Sequence, residues 1–249
     1  MSPVRSNVGQ PQRPSRRAGL TLIELLVILA IIAILVALMM PVGTTDRAPT
    51  RRTQCKLNLK QIGLALYNYT DAYGSLPPAY SVDGEGKPLH SWRTLILPFI
   101  DQTPLYNQLD LSKPWDDPEN LAVFDTANAW NYGCPSANLG RNMTTYMAIV
   151  GEGNCFHPTR GRKLSEIKDG LAVTIMVVEV RPEDAVLWME PRDTDAEFVQ
   201  TLAENTKFSH EHGIHALLAD GAVRFFSMEE PVENLAGMAT IDGHLDSSE

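Results

Sequence analysis

The sequence predicts an α+β fold in which a long N-terminal α-helix, transmembrane in its first part, packs against a C-terminal antiparallel β-sheet. Three observations predict it. An apolar run fills residues 25–40, an apolar stripe with helical spacing follows, and the β-branched segments and turn signals all fall later in the chain. Helices first and strands later is the order of an α+β domain. The 249 residues are 44% hydrophobic and 20% charged, ordinary globular usage that excludes disorder for most of the chain.

Residues 25–40 read LLVILAIIAILVALMM, with no polar side chain. Counted from Leu20, interrupted only by Thr21 and Glu24, the apolar segment makes a helix of about 31 Å, close to the hydrocarbon core of a bilayer. Pro41 ends or kinks it, because proline lacks an N–H and clashes with the preceding turn. Glu24 is the informative residue. A carboxylate in a membrane helix costs roughly 2.5–3.5 kcal/mol, so such a group is usually paired and functional. An ordinary signal peptide does not carry it, and no A-x-A site follows Met40. The Arg16-Arg17 pair continues poorly as a twin-arginine signal. A plain anchor leaves Glu24 unexplained.

Charge is uneven. The chain carries 21 basic and 30 acidic residues, net −9. Arg5, Arg13, Arg16 and Arg17 sit in a head without acids, so the remainder is more acidic still. An acidic body is unsuited to general nucleic-acid binding, which needs clustered basic charge. Arg47, Arg51, Arg52 and Lys56 follow the apolar run, so the positive-inside rule is a near tie.

Beyond Pro41, Gly43 and Pro49 break the helix locally. Helical periodicity then resumes: Cys55, Leu59, Ile62, Leu66, Tyr69 and Tyr73 form one apolar face that covers a core. Ser91 can cap a short helix carrying Trp92, Leu95, Ile96, Phe99 and Ile100. Thr103-Pro104 opens a second, to Leu109, and residues 120–125 a third. Strands are expected over 144–150, 173–180 and 186–189. Residues 214–219 and 222–227 flank Asp220-Gly221, a strong hairpin signal.

The basic head, Gly19, the segment Leu20-Thr21-Leu22-Ile23-Glu24 and the apolar helix together resemble the type IV prepilin and type II secretion pseudopilin superfamily. The resemblance implies that a membrane peptidase cuts after Gly19 and N-methylates Leu20, making Glu24 the fifth residue of the mature chain. The family usually has Phe where this chain has Leu20. Cys55 to Tyr69, Leu76-Pro77-Pro78-Ala79-Tyr80, Ser91-Trp92-Arg93, Leu97-Pro98-Phe99, Leu105-Tyr106, Pro114-Trp115-Asp116, Cys134-Pro135-Ser136 and Ala219-Asp220-Gly221 resemble a large planctomycete family. It joins a prepilin-type head to a domain of unknown function, and has no established enzymatic role. The resemblance implies a pilin-like fold divided into a basic leader (1–19), a transmembrane helix (20–42), an extension of that helix (43–73) and a globular domain (74–249). It also implies a single pass through the inner membrane with the globular domain outside the cytoplasm. The implied partners are the prepilin peptidase and other pilin-like subunits, or further copies of the chain. Cys55 and Cys134 both lie in matching pieces, which favours a disulfide between them, leaving Cys155 free; Cys134–Cys155 is the alternative.

Other chemistry is thin. His210, His212 and His215 could ligate zinc in principle, but the spacing is not H-E-x-x-H, and a solvated turn is expected. Asp83-Gly84-Glu85-Gly86 and Asp116-Asp117 offer oxygen ligands without EF-hand spacing, and plain acidic turns are expected although some pseudopilins bind calcium. The acid-rich stretch from Glu179 to Glu204 is expected to be a solvated face. Glu152, Glu166 and Glu179 have nothing to pair them as catalytic carboxylates. Trp92, Trp115, Trp130 and Trp188 are expected in the core or at its rim. No metal, cofactor or catalytic set is expected. Three readings follow: an assembly subunit, a membrane-tethered module that binds a surface polymer or protein, and a metal-dependent hydrolase that uses the histidine cluster. The first is preferred.

Overall fold

The computed structural model describes residues 21–39, 47–127, 132–201, 208–211, 213–227 and 232–243. The chain forms two units, Met1–Thr45 and Asp46–Glu249.

The first unit contains α1 (Leu22–Met39). The large apolar side chains described from Leu22 to Val36 are exposed on every side, from 77% at Leu22 to 45% at Ile28. A helix that is hydrophobic all round needs a membrane or other helices for burial. Among the described residues no helix is long and apolar enough to cross a membrane. The 18 described residues of α1 rise about 27 Å, short of a hydrocarbon core of about 30 Å. The expected span also takes in Leu20 and residues 40–42, which lie outside the described residues, as does Pro41.

The second unit begins with α2 (Arg47–Tyr73). It starts earlier than the periodicity suggested, because Pro49 falls in its first turn, where a missing N–H breaks no intrahelical bond. Cys55, Leu59, Ile62 and Leu66 are fully buried along one face, as expected, but Tyr73 is exposed at the helix end. Short elements follow: β1 (Tyr80–Val82), β2 (Pro88–Ser91), α3 (Trp92–Leu95), α4 (Thr103–Tyr106), α5 (Pro118–Thr126), β3 (Met143–Thr144) and β4 (Tyr146–Ala148). Ser91 Oγ caps α3 by accepting from Arg93 N–H, and Asp117 caps α5 by accepting from Glu119 N–H. The chain ends with β5 (Ile175–Glu179), β6 (Val186–Leu187), α6 (Ala196–Thr201), β7 (Gly213–Leu218), β8 (Val223–Ser227) and α7 (Val232–Met238).

The main sheet has the order β4-β5-β7-β8, antiparallel throughout; β1 pairs β2 and β3 pairs β6. Strand alternation sends Tyr146, Ala148, Val177 and Leu217 into a core shared with Leu59, Ile62 and Leu66 of α2. Met147, Val178, Ile214, Ala216 and Phe226 enter a second core with Leu235 and Met238 of α7. Each fully buried leucine or isoleucine of α2 contributes roughly 1.5–3 kcal/mol. Polar bonds fix the helix over the β7–β8 turn: Tyr67 Oη donates to Ala219 O at 2.6 Å and Lys60 Nζ to Gly221 O at 2.7 Å. That turn uses Gly221 at φ +80°, which suits glycine.

The acid-rich loop at 83–86 is the tip of the β1–β2 hairpin. Asp83 Oδ1 accepts from the N–H groups of Glu85 and Lys87, so its carboxylate closes the turn. The stretch from Glu179 to Glu204 departs from the expected solvated face, because Glu179 and Asp193 are buried. Asp193 Oδ1 accepts from Arg93 Nη1 (2.6 Å), Trp92 Nε1 (3.0 Å) and Ala148 N–H (2.8 Å). Arg93, also buried, donates through Nε to Trp188 O and through Nη2 to Arg192 O. Trp92 and Trp188 are core residues and Trp115 packs at the rim; Trp130 lies outside the described residues.

Gly213 at the start of β7 has no room for a side chain. A Cβ there would press on the Phe226 carbonyl oxygen and the Phe225 ring. Gly213→Ala is expected to cost roughly 1–3 kcal/mol through overpacking, read as a lower melting temperature of the full chain in detergent.

Candidate functional site

The head of α1 and a buried cluster under α2 hold the residues with chemistry.

Thr21 and Glu24 form a capping box. Thr21 N–H and Oγ1 donate to Glu24 Oε2 at 2.8 and 2.9 Å, and Glu24 N–H donates back to Thr21 Oγ1 at 3.4 Å. The carboxylate therefore has a local partner in the single chain while remaining exposed to a neighbour. Gly19 and Leu20 lie outside the described residues. Thr21 was missed in the sequence as a functional residue, although T-x-x-E before an apolar run is the signature of such a box.

The second constellation is built from four parts of the domain. Cys55 lies on the buried face of α2, and Cys134 follows a loop anchored by Asn58 Nδ2 donating to Gly133 O at 3.0 Å. Their sulfurs are 2.7 Å apart and the two cysteines are not joined by a disulfide. Glu179 ends β5, on the strand face that looks toward α2, and is 1% exposed. His210 precedes β7 and His215 lies within it, both buried. His210 Nε2 is 3.2 Å from Glu179 Oε2 and 3.8 Å from Cys134 Sγ. His215 Nδ1 is 3.5 Å from the same carboxylate oxygen. One ligand atom each from Cys55, Cys134, Glu179 and His210 lies within 4.8 Å of the others.

Burial pushes the Glu179 carboxyl up, but the two imidazoles more than reverse this and hold it at about 2. Burial also opposes charge on His210, yet the Cys55 sulfur and the Glu179 carboxylate raise it to about 9. Contact with Cys134 lowers Cys55 to about 5, while the same contact and burial push Cys134 far up. Two cysteine sulfurs, a carboxylate and an imidazole thus meet in one buried cluster. Such a set can ligate a metal or, once oxidised, form a disulfide. Cys155 contributes no ligand atom to this cluster, and burial pushes its thiol up to about 12.

The histidine segment is therefore not the solvated turn expected: His210 and His215 are buried against Glu179, and His212 lies outside the described residues. Glu152 pairs with His157 and Glu166 with Arg160 and Arg162, so Glu179 has neither as a partner. Glu179 was weighed only as a carboxylate to pair with Glu152 or Glu166, and its place beside the histidines and cysteines was missed. Its signal was a lone carboxylate in the apolar run Ile175 to Val180, the same logic that singles out Glu24.

Comparison with known proteins adds two matches. Residues 14–40 match the prokaryotic N-terminal methylation motif. Residues 45–155 match the family described as "Protein of unknown function (DUF1559)", which takes in Cys55 and Cys134 and stops before β5. No curated protein and no solved structure matches the chain significantly. The head motif implies processing by a prepilin peptidase and anchoring by the N-terminal segment. The chain thus carries a prepilin-type N-terminal methylation motif followed by a DUF1559 domain of unknown function.

Proposed function

We propose that this chain is a membrane-anchored structural subunit, cut after Gly19 and N-methylated at Leu20, that assembles through α1 into a pseudopilus or secretion-related fibre. The match of residues 14–40 to the methylation motif carries the proposal. The all-round apolar surface of α1, with Glu24 at its head, supports it. Cleavage creates an amino group at Leu20. In a bundle of such helices, Glu24 leaves its capping box and meets the ammonium of a neighbouring subunit. Each charge offsets the burial cost of the other, and the pair sets axial register. The chain sits in the inner membrane by residues 20–40 with the globular domain outside. It is a substrate of an enzyme and not an enzyme.

One observation favours a tethered binding module instead: a polar cleft of about 630 Å³ lined in part by Asn138, Arg141 and Asn142. Fractionation separates the two. An assembly subunit appears in the sheared, pelletable surface fraction only when the peptidase is present. A chain found wholly in the membrane under the same conditions contradicts assembly and favours the tethered module.

A further inference from the structure

The buried cluster under α2 carries one more step. Burying a carboxylate is costly unless it is paired and hydrogen-bonded. Glu179 Oε2 meets the His210 imidazole at 3.2 Å and the His215 imidazole and backbone N–H at 3.5 Å, while its Oε1 is buried without a hydrogen-bond partner. The Tyr146 hydroxyl is also buried and without one. A Cys55–Cys134 disulfide would leave the buried Glu179 Oε1 without a partner. A divalent cation held among the four buried ligand atoms would give the Glu179 carboxylate a counter-charge inside the cluster.

The donor set selects the ion. Two sulfurs, one imidazole nitrogen and one carboxylate oxygen suit zinc and are unsuited to calcium or magnesium. Zn–S of about 2.3 Å and Zn–N and Zn–O of about 2.0 Å give ligand–ligand edges of roughly 3.3–3.8 Å in a tetrahedron. The contacts of His210 Nε2 with Glu179 Oε2 (3.2 Å) and with Cys134 Sγ (3.8 Å) lie near that range. The two sulfurs, at 2.7 Å, would have to part by about 1 Å to share one zinc.

We propose that Cys55, Cys134, His210 and Glu179 bind a structural zinc ion that fastens α2 to the sheet, with His215 orienting the Glu179 carboxylate. All four ligands are buried, so the site is closed, as structural zinc sites are. Cys155 is outside it.

The test uses the full chain purified from membranes in detergent. Metal analysis is expected to find a single zinc per chain. Replacement by cobalt is expected to give the thiolate charge-transfer and visible bands of a tetrahedral site, a readout that needs no variant. His210→Ala is expected to lose the zinc, whereas His210→Cys, which keeps a ligand, retains it. Cys155→Ser leaves occupancy unchanged, and His215→Ala weakens zinc retention roughly 10–100-fold. Two results overturn the proposal. One is a chain with a Cys55–Cys134 disulfide as isolated, shown by intact mass and resistance to alkylation. The other is a chain with both thiols free that takes up neither zinc nor cobalt.

Discussion

Glu24→Ala is expected to leave the precursor cut while removing it from the assembled fraction. Without the carboxylate, the ammonium at Leu20 enters an apolar bundle unpaired. The burial cost of roughly 2.5–3.5 kcal/mol for a membrane charge then goes unmet. At 1.4 kcal/mol per factor of ten, incorporation falls about 100-fold. The capping box supplies a competing explanation and a way to separate it. Glu24→Gln keeps an oxygen that can accept from Thr21 N–H but removes the charge, so it is expected to fail as the alanine variant does. Thr21→Ala breaks the box, costs about 1 kcal/mol of helix stability, and is expected to assemble. Glu24→Gln assembling normally would show that the carboxylate only caps α1.

Arg93→Ala is expected to be the most damaging single change in the globular domain. Asp193 would keep Trp92 Nε1 and the Ala148 N–H as donors but lose the Arg93 guanidinium, and the carbonyls of Trp188 and Arg192 would lose its N–H donors. Breaking a buried pair in this way costs about 3–5 kcal/mol. For a domain of this size, that lowers the melting temperature by roughly 10 °C. Arg93→Lys is not expected to rescue it, because an ammonium cannot serve Asp193 and both carbonyls in one plane. Lys113→Ala, which breaks solvent-screened pairs with Asp110, Asp117 and Glu119, is expected to leave the melting temperature nearly unchanged. A thermal melt of the full chain in detergent checks all three; an Arg93→Ala melt indistinguishable from that of Lys113→Ala would contradict the assignment.

The legible parts of the fold were those that local physics decides. The face of α2 from Cys55 to Leu66, the Ser91 cap and the hairpin around Asp220-Gly221 each follow from a few neighbouring residues. The helices α6 and α7 were not expected, because they are short and their burial comes from the far side of the sheet. The strand expected over 144–150 is split into β3 and β4, which join different sheets. That partition depends on where β5 and β6 arrive and not on residues 143–148 themselves.

The same divide runs through the sites. Glu24 stood out because a carboxylate conflicts with its apolar surroundings in sequence. Cys55 and Cys134 were linked by resemblance alone, and the structure brings their sulfurs together. Glu179 and His210 were assigned to solvent because charged and imidazole side chains crowd that part of the sequence. Only the tertiary fold sets the end of β5 beside the start of β7 and beneath α2. The burial of Arg93 and Asp193 is long-range in the same way: they are far apart in sequence, and neither shows locally that it will be enclosed.

Processing decides whether this chain is a prepilin-type subunit. Its most direct test is the intact mass of the protein from membranes that contain a prepilin peptidase, beside a strain that lacks one. The predicted result is loss of residues 1–19 and gain of one methyl group only when the peptidase is present. An uncut chain in both strains, or cleavage beyond Met40, would contradict it.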